Sequence, residues 1–305
     1  MSAAAAAVLC KALAACRMSI VLQLVSCLLW IPTSAPGTRF AAAFRLPVRC
    51  GPVADDGVLD WSDRGITHIW PGMFAQYHTV TAINLASNQI SCLEAGAFEG
   101  PYTLMRLDLS HNCLVSIERG TFQGLRSLRH LVLNHNAIQR IAESAFEGLS
   151  QLEMLKLIDS EIGSIARGMF AGLTSLRHLV LSNNRITLII QQGAFTATNN
   201  LRKLRLINNG LVSIGNGMFD GMPYLETLDL DFNRIQTIEE GAFAQLVSLK
   251  ELLLNYNDIC YDEMNPVELS GVLKRYWYIT DQPPRSCPRT ARLAQSVTAQ
   301  QTLAL

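Results

Sequence analysis

The sequence predicts a curved α/β solenoid: stacked coils with a parallel β-sheet on the concave face, a short irregular convex side and a capping module at each end. Three observations carry this. A nine-letter string recurs as LMRLDLSHN at Leu104, LRHLVLNHN at Leu128, LEMLKLIDS at Leu152, LRHLVLSNN at Leu176, LRKLRLINN at Leu201, LETLDLDFN at Leu225 and LKELLLNYN at Leu249, with a weaker copy, VTAINLASN, at Val80. The spacing is 24 residues, except that Leu176 to Leu201 takes 25, the extra residue falling near ITLIIQQGAF. Asparagine and phenylalanine keep the same period, and a unit this short buries its leucines only by stacking on its neighbours.

The first 43 residues stand apart. Lys11 and Arg17 precede an apolar run of 14 residues, Met18 to Ile31, short for a membrane span, which needs about 20. Small residues follow at Thr33–Ala35 and Ala41–Ala43, so 1–43 read as a signal peptide, with an uncleaved signal anchor as the alternative.

The remaining chain suits a packed core. It is 49% hydrophobic and 16% charged over the 305 residues, and its 25 basic side chains balance 25 acidic ones. Few charges argue against disorder. Zero net charge leaves no field to gather a polyanion, so neither nucleic acid nor an anionic membrane is expected as a partner.

Within each unit, written LxxLxLxxNxIxxIxxGxFxxLxx, the alternation in LxxLxLxxN makes a short strand whose leucines point inward. Asn88, Asn112, Asn136, Asn184, Asn209, Asn233 and Asn257 hold the place after the strand, where an amide can both donate to and accept from turn backbone. Ser160 breaks this row, a local weakness. Phe98, Phe122, Phe146, Phe170, Phe195, Phe219 and Phe243 form a second row, with Phe74 in a partial unit before it. One aromatic per coil is a core spine.

This unit resembles the extracellular, 24-residue class of leucine-rich repeat, over residues 50 to about 288. The resemblance implies a curved leucine-rich-repeat solenoid with an N-terminal cap over 44–79, seven repeats over 80–248, the last repeat strand with a C-terminal cap over 249–288, and a polar tail over 289–305. The N-terminal cap departs from the family, with Trp61 where a cysteine usually stands and Cys50 alone. At the other end Asn265, Pro266 and Glu268 suit a helix start, and Leu269, Val272, Leu273 and Tyr276 share one helical face. By the resemblance, Cys260 and Cys287 close this cap with a disulfide. Outside the leader five cysteines remain, an odd number, and the pairing of Cys50, Cys92 and Cys113 stays open.

No Gly-rich phosphate loop, HExxH or GxSxG occurs, and Asp229 with Asp231 lies on an open sheet rather than in a cleft. His111 and His135 fall at one place of adjacent repeats without an evident third ligand. No enzyme activity, metal or cofactor is expected.

Function is therefore sought in the outward letters of the strands, which the fold does not dictate. The middle repeats are apolar and basic: Val132, Ile158, Val180 and Ile207 among His130, Lys156, His178, Lys203 and Arg205. The last are acidic and aromatic: Asp229, Asp231, Phe232 and Tyr256, with Glu251. Apolar residues rimmed by charge mark interaction surfaces. The bland reading is a solvated sheet with cross-strand pairs such as Arg205 with Asp229. The compact layout is similar to variable lymphocyte receptors of jawless vertebrates, which implies ligand binding on the inner face and at a loop corresponding to Tyr276–Arg285. The expectation is a secreted or extracellular recognition protein for a microbial surface glycan or lipopolysaccharide. The alternative is adhesion-, matrix- or guidance-type binding of an endogenous protein.

Overall fold

The computed structural model describes residues 57–189 and 193–259. The leader, Cys50, the Cys260–Cys287 bridge, the capping helix, the Tyr276–Arg285 loop and the tail lie outside these residues.

Three-residue strands repeat once per coil: β1 (Val58–Asp60), β2 (Ala82–Asn84), β3 (Arg106–Asp108), β5 (His130–Val132), β7 (Met154–Lys156), β9 (His178–Val180), β11 (Lys203–Arg205), β13 (Thr227–Asp229) and β15 (Glu251–Leu253). They form one nine-stranded parallel sheet in chain order. The central residue of each strand is buried, and Leu107, Leu131, Leu155, Leu179, Leu204 and Leu228 face one another in register. Each such leucine stabilises the stack by about 1.5–3 kcal/mol. Two-residue strands follow in the same coils: β4 (Ser116–Ile117) pairs with β6 (Arg140–Ile141), β8 (Ser164–Ile165) with β10 (Leu188–Ile189), and β12 (Ser213–Ile214) with β14 (Thr237–Ile238).

The α half of the expected α/β class is nearly empty. Among the described residues the helical element is a 3₁₀ turn, Thr196–Thr198. A 24-residue coil spends its length on a strand, an asparagine turn and a return of tight turns, which leaves no room for an α-helix.

The asparagines carry the turns. Asn136 Oδ1 accepts the Leu114 N–H at 3.0 Å, and its Nδ2 donates to Leu109 O and Leu133 O, each at 3.0 Å. Each side chain thus ties its own coil to the one before, and Asn88, Asn112, Asn184, Asn209, Asn233 and Asn257 repeat the pattern. Ser160 is too short for it. Its buried hydroxyl has no hydrogen-bond partner, and Ile138, the counterpart of Leu114, faces no carboxamide.

The phenylalanines stack ring on ring from Phe74 to Phe243, with centroids 5.6–6.5 Å apart. Hydrogen-bonded strands lie about 4.8 Å apart. Coils wider at the aromatic side than at the sheet stack into an arc with the sheet on its inner side, as expected. Trp61 is buried against Phe74 (5.3 Å) and Tyr77 (5.9 Å), and β1 beside it is the first strand of the common sheet.

The extra residue is confined to one place. Ile165 and Ile189 still pair at an offset of 24, whereas Phe170 stacks on Phe195 and Val180 pairs with Arg205 at 25. The insertion falls between Ile189 and Phe195, on the return side, and the sheet register passes it undisturbed.

Candidate binding surface

Parallel pairing sets the outward side chains in columns, one strand spacing apart. One column runs Arg106, His130, Met154, His178, Lys203, Thr227, Glu251 and the next Asp108, Val132, Lys156, Val180, Arg205, Asp229, Leu253. Two residues further along the chain come Ser110, Asn134, Ile158, Ser182, Ile207, Asp231 and Asn255. His130 and His178 are separated by Met154, two strand spacings or about 10 Å, too far for one metal ion. Among the described residues no group of three His, Cys, Asp or Glu is placed to hold one.

Two expectations need correction. Val132, Ile158, Val180 and Ile207 do not form an open apolar patch. Val132 and Val180 flank Lys156, Ile158 and Ile207 flank Ser182, and all four aliphatic residues are half-buried. Lys156 stands beside Val132 and Val180, and Arg205 beside Val180. Asp229, expected on an open face, is 6% exposed. Burial raises its pKa, and Asp231 and Glu251 push it the same way against the Asp231 N–H and Arg205. Arg205 Nε is 4.0 Å from its carboxylate, so the cross-strand pair is long.

The basic zone is larger than the sequence reading found. One letter before the first column lies another, Arg129, Glu153, Arg177, Arg202, Glu226 and Lys250, joined by successive backbone hydrogen bonds. Arg129 pairs with Glu153, and Glu226 with Arg202 and Lys250. Lys250 and Arg202 hold the Glu226 carboxyl below its usual value by hydrogen bonding. The signal was in the sequence, as the letter after each first leucine, which the outward letters considered there did not include. With these included, Arg106, Arg129, Lys156, Arg177, Arg202, Lys203 and Arg205 share their coils with Asp108, Glu153 and Asp159, and border Glu226 and Asp229 of the next coil. The histidines report this field. Burial, then Arg106, Arg129 and Lys156, lowers the pKa of His130; burial, then Lys203, Arg177 and Arg205, lowers that of His178.

The row that holds His111, His135, Phe232 and Tyr256 was read from the sequence as outward-facing, but its backbone was not. The residue just before each ladder asparagine has positive φ: Ser87, His111, His135, Asp159, Asn183, Asn208, Phe232 and Tyr256, at 51–58°. Polar short residues tolerate this left-handed conformation; bulky ones do so at a cost of about 1–3 kcal/mol. Their side chains run on as a ribbon. His111 stacks on His135 at 4.2 Å, His135 Nδ1 lies 3.3 Å from Asp159 Oδ2, Asn208 donates to Asn183 at 3.1 Å, and Phe232 stacks on Tyr256 at 4.2 Å. Phe232 and Tyr256 are 49% and 57% exposed, the open large hydrophobics that the face does present. Beside the ribbon, Asp159, Glu161, Arg185, Asn208 and Arg234 line a polar groove of about 720 Å³ over the Ser160 gap.

Comparison with known proteins places this geometry. A family model described as Leucine rich repeat matches residues 78–138, 126–186 and 199–259. No curated protein matches at a significant level. Among solved structures, the complex of Drosophila Toll with Spatzle is similar at 29% identity and a TM-score of 0.62, over 71% of this chain and 29% of that one. TLR13 in complex with ssRNA13 is similar at 27% identity and 0.53, over 65% and 32%. A leucine-rich-repeat protein of Leptospira interrogans shares the fold at 24% identity and 0.58, over 72% and 54%. The chain therefore spans about a third of the two receptor chains and about half of the bacterial one. The RNA complex also removes the basis for excluding nucleic acid: zero net charge says nothing of a face whose charges are segregated, and a similar fold is found bound to RNA.

Proposed function

From the premise that this chain belongs to the leucine-rich-repeat family, we propose that it is a non-catalytic, extracellular recognition protein that binds its ligand on the inner face of the sheet. The observation that carries this is the outward grid. Scaffold letters repeat coil after coil, while the outward letters of the same strands change and segregate into a basic zone and an acidic, aromatic one. Recognition fits the similarity to Toll in complex with Spatzle. The apolar run near the N-terminus, read as a signal peptide, supports an exported setting.

His130, Val132, Lys156, Ile158, His178, Val180, Lys203, Arg205 and Ile207 form the first contact zone, and Asp229, Asp231, Phe232 and Tyr256 the second. The ligand is a microbial surface glycan or lipopolysaccharide; an endogenous protein of adhesion, matrix or guidance type is the second reading, favoured by the exposed Phe232–Tyr256 pair. A binding screen of the secreted chain against bacteria, lipopolysaccharide and cell-surface proteins separates them. Replacing Lys156, Lys203 and Arg205 together by Ala is expected to abolish whichever binding is found, with a stability change within about 0.5 kcal/mol. Binding that survives the triple change sinks the reading.

A further inference from the structure

The two half-buried histidines of the basic zone have an unusual setting for side chains on an open sheet. His130 sits between Arg106 and Met154 in its column, with Arg129 beside it in sequence and Lys156 across the next strand; Glu153 is the carboxylate near it. His178 sits between Met154 and Lys203, with Arg177 and Arg205 around it and Glu153 again the nearby acid. Glu153 itself is engaged by Arg129. Each imidazole is thus enclosed by three cations and one occupied carboxylate. A proton there would sit in a partly desolvated place and would be repelled, so both rings hold a proton less readily than an ordinary histidine.

We propose that this zone takes a sulfated or phosphorylated glycan, and that His130 and His178 take up protons as it binds. The proposal deepens the reading above and rests on it. The cations span β3 to β11, four strand spacings or about 19 Å, enough for several anionic groups of an extended chain. No Phe, Tyr or Trp stands at the outward letters of this zone. Single-stranded nucleic acid is commonly gripped by stacking its bases on aromatic side chains, whereas sulfate and phosphate groups need only cations and donors. When such groups settle among the cations they cancel the repulsion that, after burial, disfavours a proton on the histidines. Each ring then gains an anion as neighbour and its proton affinity rises. Because the bound state holds more protons than the free state, affinity must increase as pH falls through the bound-state histidine values, and must level off once the free protein is protonated as well. Binding without this linkage would require the anions to avoid both rings, which stand in the middle of the zone.

The test is calorimetric titration of the whole secreted chain with a heparin oligosaccharide at about pH 7.5 and about pH 5.5, either side of the ordinary histidine range. At an intermediate pH the titration is repeated in two buffers of different ionisation enthalpy. Affinity is expected to rise roughly tenfold or more at the lower pH, since one unit of histidine shift is worth a factor of ten. The buffer pair should show net proton uptake by the unaltered protein. The double variant His130→Gln, His178→Gln should lose the pH dependence. Equal affinity at both pH values, or no proton uptake, overturns the coupling and leaves the inner face as a binding surface. Failure of heparin to bind, with single-stranded RNA or a protein from the screen bound instead and lost with Lys156, Lys203 and Arg205, overturns the glycan assignment alone. Loss of every binding partner sinks both readings.

Discussion

Leu131 lies between His130 and Val132 on one three-residue strand, yet the three answer to different constraints. Leu131 has a leucine in register on both sides and no contact with solvent. His130 has Arg106 on one side and Met154 on the other. The same contrast holds for the asparagine and phenylalanine ladders against the outward columns. Inside, every coil must fit its two neighbours, so one solution is copied along the stack. Outside, the neighbours impose only charge and bulk, so the letters are free to follow a ligand. Repetition marks what holds the molecule up; its loss marks where binding is to be sought.

The contrast can be broken most forcefully from inside. Phe146→Ala removes a ring stacked between Phe122 and Phe170 and should cost about 3–5 kcal/mol, read as a lower midpoint in urea. Asn112→Ala should cost less, about 1–3 kcal/mol for one buried amide left without an acceptor. The Ile90 N–H loses its partner, whereas Leu85 O and Leu109 O keep the neighbouring asparagines Asn88 and Asn136. Hydrogen exchange at Ile90 should accelerate more than at its counterparts Leu114 and Ile186, whose asparagines are untouched; equal exchange along the stack would show that the ladder is not the local tie.

Ser160→Asn runs the other way. It restores the missing carboxamide opposite Ile138 and should gain about 1 kcal/mol; a loss would mean that the polar groove above the gap depends on the serine. The smallest effect sits on the open face of the sheet. Asp229 has a raised pKa when folded, above its ordinary 3.8, so the folded state binds a proton more tightly than the unfolded one. Its charge therefore costs nothing in strong acid, and the cost develops as pH rises through the folded value. Asp229→Asn should raise Tm at neutral pH by up to about 2 °C, a fraction of the 2–4 °C per kcal/mol usual at this size, and the gain should vanish near pH 3. A gain of the same size at both pH values would assign it to packing rather than charge.

The scaffold was legible in the sequence because each of its letters is read many times. One LxxLxLxxN string is ambiguous; eight in register fix strand, ladder and stacking direction together. Even the insertion was located by its break in period. The face was legible only in part. Which residues point outward follows from alternation, so the columns came out in the right places. Their exposure did not, because the surroundings of Val132 and Val180 depend on how the long side chains of Lys156 and Arg205 lie, and burial of Asp229 depends on the crowd around it. The charged column from Arg129 to Lys250 and the left-handed backbone of the row from Ser87 to Tyr256 were passed over for another reason. Neither alters the hydropathy pattern, although Ser, His, Asp and Asn at the letter before the ladder asparagine are the residue types that positive φ favours.

That left-handed row limits how such a surface can be diversified. An experimenter building a library on this framework could randomise the three strand columns with little regard for backbone. At Ser87, His111, His135, Asp159, Asn183, Asn208, Phe232 and Tyr256 the alphabet shrinks, because a branched Cβ is poorly accommodated at positive φ. Valine, isoleucine and threonine would be lost from those positions in any selection for folded protein, before affinity was ever measured.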